Sequence, residues 1–151
     1  MSDPFSLRPS TPADASWIAD LRAEVMRSDL ERVGRFDPVW VRERFLRAFV
    51  AANTRMIEVG DETVGSVALR TEPGEHWIEH FYLATARQGR GLGGDVLRRV
   101  MHEAGDGRPF RLNVLQGSPA RRLYERHGFR FEHEDEVDVF LVAAGVSRPA
   151  D

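Results

Sequence analysis

Four of the six residues from 89 to 94 are glycine, in the stretch Arg87-Gln88-Gly89-Arg90-Gly91-Leu92-Gly93-Gly94-Asp95. Backbone stripped of side chains lets an anion approach its amides closely. The stretch follows a strand-like run at 76–83 and opens a helical run at 92–104. A helix start contributes uncovered N–H groups and the positive end of a dipole, both of which favour a phosphate. Strand, glycine-rich turn and helix start together describe a cradle for a pyrophosphate-bearing cofactor. This is the strongest chemical signal in the chain.

Glycine-rich turns between strand and helix also occur as plain connections. Gly89, Gly91 and Gly94 fit the spacing GxGxxG, which points to a nicotinamide-dinucleotide oxidoreductase built on a Rossmann unit. The position argues against it, because the motif lies past the middle of the chain and one strand–helix pair follows it. The ribose-binding carboxylate expected about 20 residues on is also missing, since that region reads Leu112-Asn113-Val114-Leu115.

A second pattern fits better. Gln88, Gly91 and Gly93 read as Gln-x-x-Gly-x-Gly, and downstream comes Ala120-Arg121-Arg122-Leu123-Tyr124-Glu125-Arg126-His127-Gly128-Phe129. The two blocks, in this order and separated by a helix and a strand, resemble the GNAT superfamily of acyl-CoA-dependent N-acetyltransferases. The first is similar to its pyrophosphate loop, the second to its Ala-x-x-Leu-Tyr-x-x-x-Gly-Phe signature. The resemblance follows the whole chain in element order and is sharpest over 76–131. It implies an α/β (α+β) fold, with a mixed, mainly antiparallel sheet of six to seven strands flanked by about four helices. It also implies that the two middle strands splay apart to hold the cofactor.

With 151 residues, 42% hydrophobic and 30% charged, the chain has the size and composition of one globular domain. We read 1–151 as that domain, with 143–151 as a flexible tail. A net charge of −3 argues against a nucleic-acid partner, which calls for basic surface. The absence of cysteine excludes disulfides, a thiolate nucleophile and cysteine zinc sites. No apolar run reaches membrane-spanning length, and the N-terminus lacks a basic-then-apolar leader. A cytoplasmic protein without a membrane partner is the expectation; its oligomeric state stays open, a homodimer being compatible.

A first strand is expected at 5–8. Thr11, Pro12 and Asp14 then mark a capped helix start. Trp17, Ile18, Leu21 and Val25 carry one apolar face, and 27–37 reads as charged and irregular. Asp37-Pro38 opens a second helix, with Val41, Phe45 and Phe49 on one face. Strands at 55–59 and 63–69 flank a hairpin turn, and a turn at 72–75 delivers the strand at 76–83. After the loop, Leu92, Val96, Leu97, Val100 and Met101 form an apolar stripe. A strand at 110–115, a short helix closed by Gly128, and strands at 129–133 and 137–142 complete the chain.

The resemblance assigns roles to single residues. Backbone amides over 88–94 (Gln88, Gly89, Arg90, Gly91, Leu92, Gly93 and Gly94) would bind the pyrophosphate of acetyl-CoA, with Arg87 and Arg90 adding charge. The pantetheine arm would pair near Leu83 and Thr85, and the Leu83 N–H would polarise the thioester carbonyl. Tyr124 would be the acid for the departing sulfur, although helical spacing alone would make it a packing residue. Members often carry Asn six residues before the signature leucine; here Gly117 stands there, so Ser118 or Asn113 would supply that contact.

Glu79 and His80 are the candidate bases for the acceptor amine, Glu79 being favoured. On a regular strand they point to opposite faces, with Glu79 on the face of Leu83. His76 and His80 share a face but lack a third ligand, so no metal is expected. Acidic residues at 132, 134–136 and 138 are usually a solvated turn; in this family they border the acceptor site, where they would attract a cationic amine. The resemblance implies that the first two helices form one wall of the acceptor site; they carry no readable motif. The implied activity is acetyl transfer from acetyl-CoA to a primary amine of a small molecule or peptide. The alternative from another class is an acyl-CoA sensor without catalysis.

Overall fold

The computed structural model describes residues 3–147. Seven strands form one sheet: β1 Ser6–Pro9, β2 Thr54–Val59, β3 Glu62–Glu72, β4 Glu75–Leu83, β5 Phe110–Leu115, β6 Arg130–Glu134 and β7 Asp138–Ala143. Four α-helices accompany them: α1 Ala15–Arg32, α2 Pro38–Ala48, α3 Leu92–Glu103 and α4 Ala120–Glu125. The spatial order is β1-β2-β3-β4-β5-β7-β6. Every neighbouring pair is antiparallel except β4 and β5.

The parallel pair is the feature that makes a site. β4 and β5 are joined only at His76–Phe110 and Trp77–Arg111, and beyond that point they diverge. The joined end is tightly fixed. The His76 ring is buried and stacks on Phe110 at 5.1 Å, bonding Thr71 Oγ1 at 2.9 Å and Asp106 Oδ1 at 3.0 Å. Opening therefore occurs at the other end, where the glycine-rich turn begins.

Alternating side chains divide the core between the two sheet faces. Ile57, Val67, Leu112 and Leu141 pack with α3, whose Leu92, Val96, Leu97 and Val100 are buried. On the opposite face Met56 packs with Ile18, Ala19 and Phe45 of α1 and α2. Helix α1 runs to Arg32, through the segment that reads as irregular. Its charges belong to the solvent side, where Arg27–Glu31 (2.8 Å) and Arg32–Asp29 (2.6 Å) pair at helical spacing. Leu30, 4% exposed, anchors the final turns to the interior.

Helix α2 starts on a side-chain cap. Asp37 Oδ1 accepts the Trp40 N–H at 2.9 Å, and Pro38 occupies the first turn. Asp37→Ala is expected to cost about 1 kcal/mol, seen as a Tm lower by roughly 2–4 °C in thermal unfolding. An unchanged Tm would mean that water replaces the cap without loss.

The expected flexible tail needs correction over 143–147. Ala143 is buried and pairs with Phe110, Gly107 N–H donates to Val146 O at 3.0 Å, and Ser147 bridges Asp106. Gly145 lies so close to the Gly107 carbonyl that a Cβ would sit 2.1 Å from it, which is why the pattern there reads as coil while the backbone is packed. The remainder of the expected tail, 148–151, lies outside the described residues.

Candidate active site

The opening between β4 and β5 leads into a cavity of about 1560 Å³. Single small-molecule pockets usually hold about 300–1,000 Å³, so this one has room for a large ligand and a second, smaller one. One wall is the glycine-rich turn and the start of α3. The other is formed by α1 and α2.

The glycines at the turn do different jobs. Gly89 (φ 75°) and Gly91 (φ 85°) adopt left-handed backbone, and a Cβ on either would meet open space. That open space is where an anion can approach the amides. Gly93 and Gly94 serve packing: a Cβ on Gly93 would lie 3.3 Å from Leu123, and one on Gly94 would lie 2.9 Å from the His127 ring. Gly91 caps α3, and the first intrahelical bond runs from Asp95 N–H to Gly91 O. The amides of Leu92, Gly93 and Gly94 thus precede the helical ladder and have no i−4 carbonyl to bond. Leu92 anchors this end through its buried side chain.

Other loop residues depart from expectation. Arg87 turns away from the turn and pairs with Glu62 at 2.7 Å and Asp3 at 3.5 Å, so its charge is engaged elsewhere. Arg90 is exposed outside the cavity lining, and Thr85 lies in a short 3-10 turn, also outside it. Gln88 folds back, its amide donating to Leu83 O at 2.9 Å. Just past β4, Ala84 N–H donates to Val64 O at 2.8 Å. Backbone groups alternate sides along an antiparallel ladder, so the Leu83 N–H points away from β3, into the gap toward β5.

A bulge in β4 decides which side chains meet the cavity. The register with β3 shifts between Ser66 and Ala68, and His80 sits at φ 47°. Such left-handed backbone is strained for a residue other than glycine, and strain of this kind collects at functional sites. Cross-strand partners share a face: Glu79 lies opposite Ala68, and Tyr82 opposite Ser66, itself opposite Met56. Glu79 therefore faces α1 and α2 with Tyr82, and Leu83 faces the α3 side. This reverses the regular-strand expectation. The extra residue also carries His80 to the α1–α2 face, where its ring meets Phe45 edge-on at 5.0 Å. Glu79 and His80 both line the cavity, and His76 and His80 no longer share a face.

The two candidate bases sit in different surroundings. Arg70 bonds both Glu79 carboxylate oxygens, at 3.1 and 3.4 Å. The His80 imidazole is desolvated, and burial pushes its pKa below the ordinary 6.5, with the Glu79 charge opposing. His80 Nδ1 lies 3.3 Å from Tyr82 Oη, which also accepts from Arg22 Nε at 3.1 Å. Burial raises the Tyr82 phenol, with Arg22 acting against it. Among the described residues no group of three or more potential metal ligands exists.

Tyr124 stands across the cavity on α4. Its ring is 7% exposed and packs edge-on against Phe81 (6.4 Å) and Phe129 (5.7 Å). Its hydroxyl has no hydrogen-bond partner among the described residues, yet it is not a sealed orphan. It opens on the cavity. Burial, and secondarily Tyr82, push its pKa well above the usual 10. The phenol therefore keeps its proton at neutral pH.

Asn113 and Ser118 both line the cavity but are occupied: Asn113 donates to Asp138 at 3.0 Å, and Ser118 Oγ accepts the Ala120 N–H at 3.2 Å. Gly117 (φ 78°) faces the Arg32 guanidinium, which bonds Gln116 O at 2.8 Å and would lie 2.7 Å from a Cβ there. An asparagine there would have to displace the Arg32 side chain and adopt left-handed backbone. Sequence reasoning missed Tyr82 and Arg22. Arg22 left a signal, a cation four residues after Ile18 on the buried stripe of α1; Tyr82 left none, because the bulge sets its face.

A family model described as an acetyltransferase (GNAT) domain matches residues 44–131. Among curated proteins no sequence matches this one. Solved structures do. The PaiA N-acetyltransferase of Thermoplasma acidophilum, determined in complex with coenzyme A, superposes with a TM-score of 0.75 at 18% identity, covering 93% of this chain and 99% of that one. An acetyltransferase from Thermus thermophilus gives 0.72 at 22% identity, covering 95% and 99%. An N-acetyltransferase from Staphylococcus aureus gives 0.69 at 18%, covering 91% and 100%. At these identities the structures speak for the fold.

Proposed function

From the premise that the chain belongs to the GNAT acetyltransferase family, we propose that it transfers an acetyl group from acetyl-CoA to a primary amine. The observation that carries this is the opening between β4 and β5, whose cavity is lined by both the uncovered amides at the start of α3 and Tyr124 of α4. Acetyl-CoA supplies the acetyl group as an activated thioester. Amides of Gly91, Leu92, Gly93 and Gly94 fit its pyrophosphate, and the open space over Gly89 and Gly91 admits it. The chain has no cysteine to carry the acetyl group, which supports direct attack with both substrates bound. Holding them together lowers the barrier by several kcal/mol.

Leu83 N–H, aimed into the gap, stabilises negative charge developing on the acetyl carbonyl oxygen. Tyr124 donates a hydrogen bond to the departing sulfur. A thiol has a pKa of about 8.5 and an ordinary phenol about 10, so complete transfer from this raised phenol to a thiolate runs uphill. Tyr124 thus acts by sharing its proton as the carbon–sulfur bond breaks, and the amine's released proton restores the balance. We assign the amine's proton to His80. Arg70 already occupies the Glu79 carboxylate, whereas His80 is neutral. The base role requires the tautomer in which Nδ1–H donates to Tyr82 and Nε2 keeps its lone pair.

This assignment gives a pH prediction. The His80 pKa lies below 6.5, so protonation removes the base only on the acid side of that value. His80→Gln is expected to lower kcat/KM by roughly 10²-fold near neutral pH. The loss shrinks at alkaline pH, where more acceptor amine is already neutral. Glu79→Gln should have the smaller effect; the opposite ranking in pH–rate profiles would return the role to Glu79.

Calorimetric titration tests the cofactor reading. Acetyl-CoA should bind saturably and NAD should not; the reverse would favour an oxidoreductase. Acetyl-CoA binding without acetylation of any amine would favour the sensor reading.

A further inference from the structure

The cavity is lined by five arginines and five carboxylates, and Arg22, Arg35 and Arg44 bring cations to its α1–α2 side. Arg22 is half-buried on α1, with Nε on Tyr82 Oη at 3.1 Å and Nη1 on Val41 O at 3.1 Å. It makes no ion pair among the described residues, Nη2 makes no hydrogen bond among them, and the residue lines the cavity. Arg35 and Arg44 line the same cavity and also lack a carboxylate partner among the described residues; Arg44 lies over the Trp40 ring.

Most of the nearby acids are bonded within the fold. Glu132 is paired with Arg111, and Glu134 accepts from Gln116 at 3.2 Å. Asp135 Oδ1 accepts the N–H groups of Val137 and Asp138 at 2.8 and 2.7 Å, closing the β6–β7 turn. Asp138 receives Asn113, Asp29 is bound by Arg32, and Glu79 by Arg70. Most of the acidic run that suggested attraction of a cationic amine is bonded within the fold, Glu136 being the member of it that lines the cavity without a partner among the described residues. Arg22, on the side of the candidate base, is the group the proposal uses.

We propose that the acceptor carries a carboxylate beside its amine, and that Arg22 binds that carboxylate. This rests on the acetyltransferase reading and narrows it to acceptors of the amino-acid class, against diamines and polyamines. Tyr82 Oη links the two recognition points, lying 3.1 Å from Arg22 and 3.3 Å from His80. Both groups are therefore neighbours of one phenol oxygen, and an acceptor that carries its nitrogen and carboxylate close together would turn the amine toward His80 and the carboxylate toward Arg22. A guanidinium taken partly out of water favours an anion more than one in bulk solvent does.

Steady-state acetylation of matched acceptors decides it. Amino acids, their carboxamides and simple diamines are compared with wild type, Arg22→Gln and Arg22→Lys, with acetyl-CoA affinity measured in parallel. Wild type should favour the free acid over its carboxamide by about 10- to 100-fold in kcat/KM, the range of one charge-assisted hydrogen bond. That ratio should approach one in Arg22→Gln, chiefly through KM, and be partly restored by lysine. Equal or faster acetylation of carboxamides or diamines by wild type would overturn the proposal and leave the acetyltransferase intact. A ratio unchanged in folded Arg22→Gln would overturn it too. Acetylation of nothing in the panel would overturn both readings. The wild-type ratio stands as a test even where the Arg22 variants do not fold.

Discussion

Tyr124→Phe is expected to lower kcat by roughly one to three orders of magnitude with acetyl-CoA affinity nearly unchanged. The substitution keeps the ring between Phe81 and Phe129 and removes only the hydroxyl. That hydroxyl bonds nothing within the described chain, so its loss leaves no buried partner unsatisfied. Stability should therefore hold or rise slightly, and the whole penalty should fall on turnover. Kinetics of the folded variant, with a parallel acetyl-CoA titration, separate the two. Wild-type kcat would leave Tyr124 a packing residue. A large loss of affinity would mean the phenol binds the cofactor rather than assisting the sulfur.

Gly91→Val should weaken acetyl-CoA binding by two orders of magnitude or more, about 3 kcal/mol. Position 91 combines φ 85° with open space beyond the absent Cβ. A β-branched residue there strains the backbone by about 1–2 kcal/mol and projects methyl groups where the pyrophosphate would lie. Backbone strain alone could disturb the loop, so a control is needed. Gly60 has φ 61° and equally open space, but lies at the β2–β3 turn. Gly60→Val should lose comparable stability and keep its affinity. Equal affinity loss in both variants would trace the effect to strain, and unchanged affinity in folded Gly91→Val would remove the pyrophosphate assignment.

What was legible in the sequence was local. The glycine block and the Ala120-to-Phe129 block sit on contiguous residues, and the resemblance they carry implied a mixed sheet of six to seven strands, about four helices and a splayed pair, where the structure has seven strands, four α-helices and the diverging β4 and β5. What escaped depended on register or on distant neighbours. One extra residue in β4 turned Glu79 and His80 onto a common face, and no period-2 reading of that strand contains it. Polar helical turns hid the last third of α1, because Leu30 alone reports its buried side. Gly93 and Gly94 looked like phosphate glycines, yet their missing side chains make room for Leu123 and His127, which come from α4 and the turn after it. The space beside Gly117, where family members often carry asparagine, is taken by Arg32 from the end of α1, a neighbour far upstream in sequence. The acidic run at β6–β7 reads in sequence as a solvated turn or as an attractor of amines, and its ion pair and turn bonds come from residues that the run itself does not name.

The central claim is that the opening between β4 and β5 joins a thioester to an amine. Thiol release from acetyl-CoA, followed continuously with and without an amine panel led by amino acids, tests it most directly. Release that depends on amine, saturates in both substrates and collapses in Tyr124→Phe is the predicted result. Saturable acetyl-CoA binding with no amine-dependent release would contradict it.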